Sequence, residues 1–111
     1  MVSPEAARTL ALTFPETSEK VYHGFPSWRV RGKMFANLPD AEHLHLMLPE
    51  EAIRGAVAME PVACAEKWWG KKLSALRVSL PDIDASALEA LMTDAWRWRA
   101  PKGLVLPSDE S

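Results

Sequence analysis

The chain has 111 residues, of which 48% are hydrophobic and 25% charged, with a formal net charge of −2 and a single cysteine. This composition is typical of one soluble globular domain, and it excludes collagen, an intrinsically disordered chain and a disulfide-stabilised scaffold. No apolar run reaches the roughly 18 to 20 residues that a membrane helix needs, so we expect a cytoplasmic protein that does not cross a membrane.

The first predicted elements are a helix and a series of short strands. Ser3 precedes Pro4 and Glu5, an order that favours a helix N-terminus, and Pro15 is expected to end this helix. Four segments with β-like composition follow, separated by turn residues: residues 19–22, 27–30, 34–38 and 43–48.

The turn between the second and third of these segments allows two hairpin registers. A three-residue loop would pair Val30 with Met34 and keep the inward residues apolar. The same loop would pair Trp28 with Ala36. A two-residue turn would pair Val30 with Lys33 instead. We favour the three-residue loop, which predicts a basic hairpin with an apolar inner face.

The second half of the chain begins with another helix, predicted to start at Pro49 and to end before Pro61. Residues 62–75 are difficult to interpret, because they combine a stretch that could extend with one that resembles a turn. Apolar residues then alternate with polar ones over residues 76–80, which predicts a half-buried strand with Arg77 facing solvent.

A long final helix is predicted after Asp84, which is a favourable N-cap residue, and Pro101 is expected to end it. The order of elements shows no regular alternation of strands and helices. We therefore predict an α+β domain in two layers, with a mainly antiparallel sheet packed on helices. Residues 1–106 are expected to form this single domain, and residues 107–111 a disordered C-terminal tail.

The positive charges are distributed unevenly along the chain. Eleven of the thirteen lysines and arginines lie in three windows that contain no acidic residue: residues 20–37, 67–77 and 95–105. If the fold brings these windows together, the protein has one basic face despite its net negative charge. If it does not, they are three separately solvated edges.

Sites for metal binding and for nucleophilic catalysis are weakly indicated. His43 and His45 are two residues apart in a predicted strand, so both side chains point to the same face, as two metal ligands could. We interpret them as the solvent face, because the alternating leucines are the apolar one. Cys64 lies in an apolar window, which is typical of a buried free thiol. No catalytic motif occurs, and we expect no enzyme, metal or cofactor.

Tryptophan is abundant, with five residues, and two pairs lie inside the basic windows: Trp68 with Trp69, and Trp96 with Trp98. Aromatic side chains among cations can stack on bases or anchor a protein interface. A small two-layer domain also needs large core residues, so Trp96 and one of the adjacent pair are expected to be buried. The candidates for stacking or for a partner are Trp68, Trp69 and Trp98.

Three stretches together resemble the bacterial MmcQ/YjbR family. The most distinctive is residues 24–36, with the order Gly-x-Pro-x-aromatic-x-Val-x-Gly-Lys-x-Phe-Ala, followed by Trp-Gly-Lys at residues 69–71. The third stretch, residues 94–97 with 100–102 at the end of the last helix, is less distinctive. The likeness extends from about Pro4 to Leu106. The resemblance implies a two-layer α-β(3)-α-β(2)-α fold and DNA binding, with no motif of catalytic residues.

These observations lead to a non-enzymatic module that contacts the phosphates of double-stranded DNA. The candidate contacts lie on the basic hairpin and on the second basic stretch: Arg29, Arg31, Lys33, Lys71, Lys72 and Arg77. The alternative is a protein-interaction or dimerisation domain that uses exposed tryptophans and an open sheet face. A third hypothesis is a small-molecule pocket near His23, Trp28 and Phe35.

Overall fold

The computed structural model describes residues 1–104 and 106, and this part of the chain forms three helices and six strands. The helices are α1 (Pro4–Leu12), α2 (Glu50–Met59) and α3 (Ala85–Arg99). The strands are β1 (Thr17–Tyr22), β2 (Phe25–Val30), β3 (Lys33–Asn37), β4 (His43–Leu46), β5 (Cys64–Trp69) and β6 (Lys72–Ser79). The predicted tail, residues 107–111, lies outside the described residues.

The six strands form one antiparallel sheet in the order β1-β2-β3-β4-β6-β5. Helix α1 packs on β1, α2 on β5 and β6, and α3 on β3 and β4. The predicted α+β class with two layers is confirmed. Four strands precede α2, as the four β-like segments predict. The order implied by the family resemblance has three strands at this place, so the structure has one more. Residues 62–75, which had no clear pattern, contain β5 and the start of β6.

The helix starts follow from local capping. The Ser3 hydroxyl accepts a hydrogen bond from the Ala6 N–H at 3.0 Å, and the Asp84 carboxylate accepts one from the Ala87 N–H at 2.7 Å. Each satisfies a donor that would otherwise have no partner in the first turn. In the part of the chain that the structure describes, no helix is long and apolar enough to span a membrane.

The core lies between the helices and one face of the sheet. A row of directly opposed residues, Trp28, Ala36, Leu46 and Leu76, crosses four strands and is fully buried. Trp96 of α3 is also fully buried, as predicted. The indole N–H groups of both tryptophans are satisfied: Trp28 donates to Glu19 Oε1 at 2.9 Å and Trp96 to the Pro15 carbonyl at 3.1 Å. Both tryptophans are therefore core residues with partners for their polar atoms.

The hairpin between β2 and β3 closes with a two-residue turn. Arg31 and Gly32 both have positive φ, +48° and +85°, which is typical of the type I′ turn that matches the twist of a hairpin. Val30 pairs with Lys33, so the predicted pairing of Val30 with Met34 is wrong. The turn geometry decides the register at the tip, even though it places an apolar residue opposite a charged one.

A β-bulge restores the apolar register one step further along the hairpin. Trp28 pairs with Ala36, as predicted, while Arg29 pairs with Met34, so Phe35 is the additional residue on β3. Phe35 and Ala36 are consequently both buried, although they are adjacent. The bulge reconciles the two-residue turn with an apolar inner face, because an extra residue changes which side chains face inward.

Candidate nucleic-acid interface

Two basic hairpin turns lie at the same end of the sheet. Strands β2, β4 and β5 run in one direction and β3 and β6 in the other, because every neighbouring pair is antiparallel. The turn after β2 and the turn after β5 therefore face the same way. Three inter-strand spacings separate them across the sheet, a lateral distance of about 14 Å. We call these two turns, with Arg31, Lys33, Lys71 and Lys72, the basic rim.

The helical part of the third basic window, at the end of α3, also lies near the rim. Helix α3 begins after β6 has crossed the sheet away from the rim, and it runs back along β3 and β4. Near the C-terminus of α3, the Trp96 indole donates a hydrogen bond to the Pro15 carbonyl. Pro15 lies two residues before Thr17, and Thr17 pairs with Val30 next to the rim. Arg97 and Arg99 thus occupy the last turn of α3 at the same end of the molecule.

The cations of the β2–β3 hairpin differ in how available they are. Arg31 Nε and Nη2 donate to the two oxygens of the Glu16 carboxylate, at 2.7 and 2.8 Å. Hydrogen bonding to Arg31 lowers the pKa of Glu16. Arg29 is half-buried, and its Nε has no hydrogen-bond partner among the described residues. Lys33 is exposed and forms no ion pair in that part of the chain.

The β5–β6 hairpin presents its charges without neutralisation. Its two-residue turn is Gly70-Lys71, with Gly70 at a φ of +62°, so Trp69 pairs with Lys72. Lys71 and Lys72 are both exposed, and no carboxylate of residues 1–104 and 106 pairs with either. Lys71 and Lys72 are therefore as uncompensated as Lys33 among the predicted contacts.

Arg77 is separated from the other predicted contacts. It lies in the middle of β6, six residues from Lys71 and thus about 20 Å away along the strand. Its Nη1 donates to His45 Nε2 at 3.0 Å, and its Nη2 is 3.7 Å from Asp40 Oδ2. Arg77 points away from the core, as the alternation predicts, but it is half-buried and bonded to neighbours rather than directed into solvent.

The tryptophans near the rim are exposed. The exposed fractions are 42% for Trp68, 74% for Trp69 and 47% for Trp98, on which the Arg99 guanidinium stacks at 4.5 Å. The prediction that one of the adjacent pair is buried is wrong. Strand β5 is an edge strand, and its last residues extend to the rim, so the second buried tryptophan is Trp28 instead. All three predicted stacking residues are accessible.

The open face of the sheet, opposite the helices, contains a groove of about 420 Å³. Its apolar lining includes Phe25, Met34, Met47 and Trp69, from four different strands or their ends. The third hypothesis placed a pocket near His23, Trp28 and Phe35. His23 does line the groove, whereas Trp28 and Phe35 are fully buried on the opposite, helix-covered face.

The polar lining of this groove was not predicted as a site. It includes Asn37, His45, Lys67 and Ser74. His45 was interpreted as a solvent-facing residue, and it does lie opposite the leucines, but only 8% of it is exposed. Burial, and then the positive charges of Arg77 and Lys67, lower the pKa of His45 to about 4. The two alternating histidines were the available signal in the sequence, but they do not reveal the neighbours from other strands.

The chemistry of the remaining candidates is limited. Cys64 is buried, and burial followed by the charge of Glu60 raises the pKa of its thiol to about 11. It is therefore a thiol rather than a nucleophilic thiolate at neutral pH. Within residues 1–104 and 106, no group of three or more His, Cys, Asp or Glu side chains is arranged to hold a metal ion.

Comparison with protein families identifies a family to which the chain is similar. A family model described as YjbR matches residues 12–98 of the 111-residue chain. The matched region includes the whole sheet, α2 and nearly all of α3. No curated protein and no solved structure matches the chain in the corresponding comparisons.

Proposed function

The chain belongs to the YjbR family, and from the geometry of the basic rim we propose that it is a non-enzymatic module that binds double-stranded DNA. The two hairpin turns act as two arms that contact phosphates on either side of a groove. The contacts come from Lys33, Lys71 and Lys72, with Arg31 as a further cation held by Glu16. Such contacts hold a protein on the duplex without reading its sequence.

The observation that carries this proposal is the spacing of the two turns. Their separation of about 14 Å is similar to the roughly 12 Å width of the major groove of B-DNA. Each turn would thus meet the backbone of a different strand. Lys33, Lys71 and Lys72, which are exposed and form no ion pair with any described residue, lie at this end of a molecule whose net charge is −2. A polyanion would therefore be attracted mainly to this end.

Titration of a labelled duplex by fluorescence anisotropy at several salt concentrations tests the proposal. Three phosphate contacts, from Lys33, Lys71 and Lys72, correspond to a slope of about −2.7 for log K against log salt. The affinity should therefore fall roughly fortyfold between 50 and 200 mM salt. Absence of binding at the lowest salt concentration contradicts the proposal.

A pair of double variants with equal net charge locates the contacts. Lys71→Ala with Lys72→Ala should reduce the slope by about 1.8. Lys20→Ala with Arg54→Ala removes the same charge from β1 and α2, away from the rim, and should leave the slope nearly unchanged. An equal reduction of the slope in both double variants would show that binding depends on net charge alone, and would contradict a role for the rim.

The alternative function, a protein-interaction or dimerisation domain, is favoured by the exposure of Trp68, Trp69 and Trp98. Exposed large aromatic side chains are typical of interface hot spots. Light scattering with size-exclusion chromatography tests this alternative. A stable dimer that dissociates in a Trp69→Ala variant would support it, whereas a monomer at high protein concentration would contradict self-association.

A further inference from the structure

The groove on the open face has a polar floor built by strand register. Asn37 of β3 lies directly opposite His45 of β4, and His45 lies directly opposite Arg77 of β6. Side chains on directly opposed residues are neighbours, with Cβ atoms about 5 Å apart. The floor therefore places an amide next to an imidazole, with a guanidinium behind the imidazole.

Arg77 determines which nitrogen of His45 carries the proton. An arginine side chain has donors and no acceptor, so the 3.0 Å contact between Arg77 Nη1 and His45 Nε2 requires Nε2 to accept. The neutral ring then has its proton on Nδ1. No described residue accepts a hydrogen bond from that nitrogen. His45 thus provides the groove with a fixed, unused N–H donor.

Asn37 provides the complementary group. Its Oδ1 is buried and accepts no hydrogen bond from any residue in the described part of the chain. A buried carbonyl oxygen without a donor is destabilising, because it has lost its hydrogen bonds to water without replacing them. A ligand with an N–H group would remove this cost. The floor consequently offers an unused acceptor beside an unused donor, the pattern that complements an amide-like edge of a heterocycle.

The walls add stacking surface and charge. Phe25 at one side and Trp69 at the other are 46% and 74% exposed, so a flat ring can reach the face of either. Lys67 is the only lysine, arginine or carboxylate among the described residues that line the groove, and it has no ion-pair partner there. The groove thus favours an anion over a cation.

From these features we propose that the open-face groove binds a flat heteroaromatic ligand with an anionic group, the chemical class to which mononucleotides belong. The base edge bonds to the His45 N–H and the Asn37 carbonyl oxygen, its ring stacks on Trp69, and its phosphate pairs with Lys67. A volume of about 420 Å³ lies within the usual range of small-molecule sites. This site uses residues other than those of the basic rim and does not depend on duplex binding.

Titration followed by ¹⁵N–¹H NMR tests the proposal, with guanosine 5′-monophosphate and adenosine 5′-monophosphate as probes. Guanosine, adenosine and inorganic phosphate serve as the separate parts of each probe. Both nucleotides should shift the resonances of Asn37, His45, Lys67 and Ser74, and they should bind more tightly than the nucleosides or phosphate. No shift at these residues with either nucleotide at several millimolar overturns the proposal.

Substitutions at Lys67 and Trp69 test which residue contacts the phosphate of the ligand and which contacts its base. Lys67→Met should weaken nucleotide binding roughly threefold to tenfold without affecting nucleosides, because it removes one partly exposed charge. Trp69→Ala should weaken nucleotides and nucleosides alike, by roughly tenfold, because it removes stacking. Lys20→Met is the matched control and should change neither. Equal losses in Lys20→Met and Lys67→Met would contradict the assignment of the phosphate.

The same chemistry has two sources, a free mononucleotide and an unpaired nucleotide within a single strand. A tetranucleotide that binds the groove more tightly than its mononucleotides identifies the strand, and the reverse order identifies the free nucleotide. Loss of duplex binding in Lys71→Ala with Lys72→Ala, with nucleotide shifts retained, would separate this site from the rim. The two proposals can therefore fail independently.

Discussion

The basic rim and the open-face groove differ in how their residues are held. The rim is made of turn residues whose lysines extend into solvent without partners in the described chain. The floor of the groove is made of paired strand residues, with His45 almost completely buried and bonded to Arg77. Under the two proposals, the rim would therefore attract its ligand through charge at a distance, whereas the groove would hold its ligand through fixed donors and acceptors. A change at one site should leave the other intact.

The largest effect is expected from charge reversal at the rim. Lys71→Glu with Lys72→Glu should lower the affinity for a duplex roughly a hundredfold at low salt, because two contacts become repulsive. Both residues are exposed, so the unfolding midpoint and the nucleotide-induced shifts in the groove should not change. Lys20→Glu on β1 is the charge control, with an expected loss of less than about threefold. Anisotropy and NMR measure the two sites separately.

The next effect concerns the groove and the pH dependence of stability. Burial, then Arg77, Lys67 and His43, lower the pKa of His45 from 6.5 to about 4, while Asp40 opposes them. As the pH falls from 6.5 to about 4, the unfolded chain takes up a proton at His45 and the folded chain does not. The free energy of unfolding should therefore decrease as the pH falls from 6.5 to about 4, and the residue responsible, His45, lies in the groove.

Urea unfolding at several pH values measures this dependence. His45→Gln keeps an acceptor for Arg77 but does not titrate, so its stability should fall less between pH 6.5 and pH 4 than that of the wild type. Lys71→Glu with Lys72→Glu should keep the wild-type pH profile, because it changes only the rim. Parallel profiles for wild type and His45→Gln would show that His45 does not contribute.

The difference between the rim, which depends on local turns, and the groove, which depends on strand pairing, explains which site residues the sequence predicted. The acid-free windows identified the rim lysines, because the turns that carry Lys33 and Lys71 are local features with few long-range contacts. The alternating leucines of β4 likewise predicted which face is apolar. Contacts between residues distant in the sequence could not be predicted from it. Glu16 neutralises Arg31 from 15 residues away, and Asn37 lies opposite His45 only because β3 pairs with β4.

The fold was predicted in class and in element order for similar reasons. Caps such as Ser3 and Asp84 act within one helical turn, and their predictions are confirmed. The tip register was predicted wrongly because apolar alternation was weighed above turn geometry, and the bulge at Phe35 satisfies both. The burial of Trp28 in place of Trp68 or Trp69 depends on which strand lies at the sheet edge, which one sequence does not show.

A smaller effect is expected from the backbone of the rim turns. Gly32 and Gly70 have φ values of +85° and +62°, and each has open space where a Cβ would lie. Alanine at either position should lower the free energy of unfolding by about 1 kcal/mol from backbone strain alone. Gly55 in α2 also has open space but no positive φ, so Gly55→Ala should stabilise the protein by about 0.5 to 1 kcal/mol. Thermal unfolding distinguishes the two signs, and a destabilising Gly55→Ala would contradict this account.

The smallest predicted effect is a gain of function at the rim. Glu16→Gln removes the carboxylate that holds Arg31 but keeps the shape of the side chain, so Arg31 becomes available to a phosphate. The duplex affinity should rise by roughly twofold to fivefold at low salt, and the slope of log K against log salt should become steeper by about 0.9. Glu89→Gln on α3 changes the net charge equally without releasing an arginine, so it should leave the slope unchanged. If both variants give the same slope, Arg31 makes no contact with DNA, and the β2–β3 turn contributes through Lys33 alone.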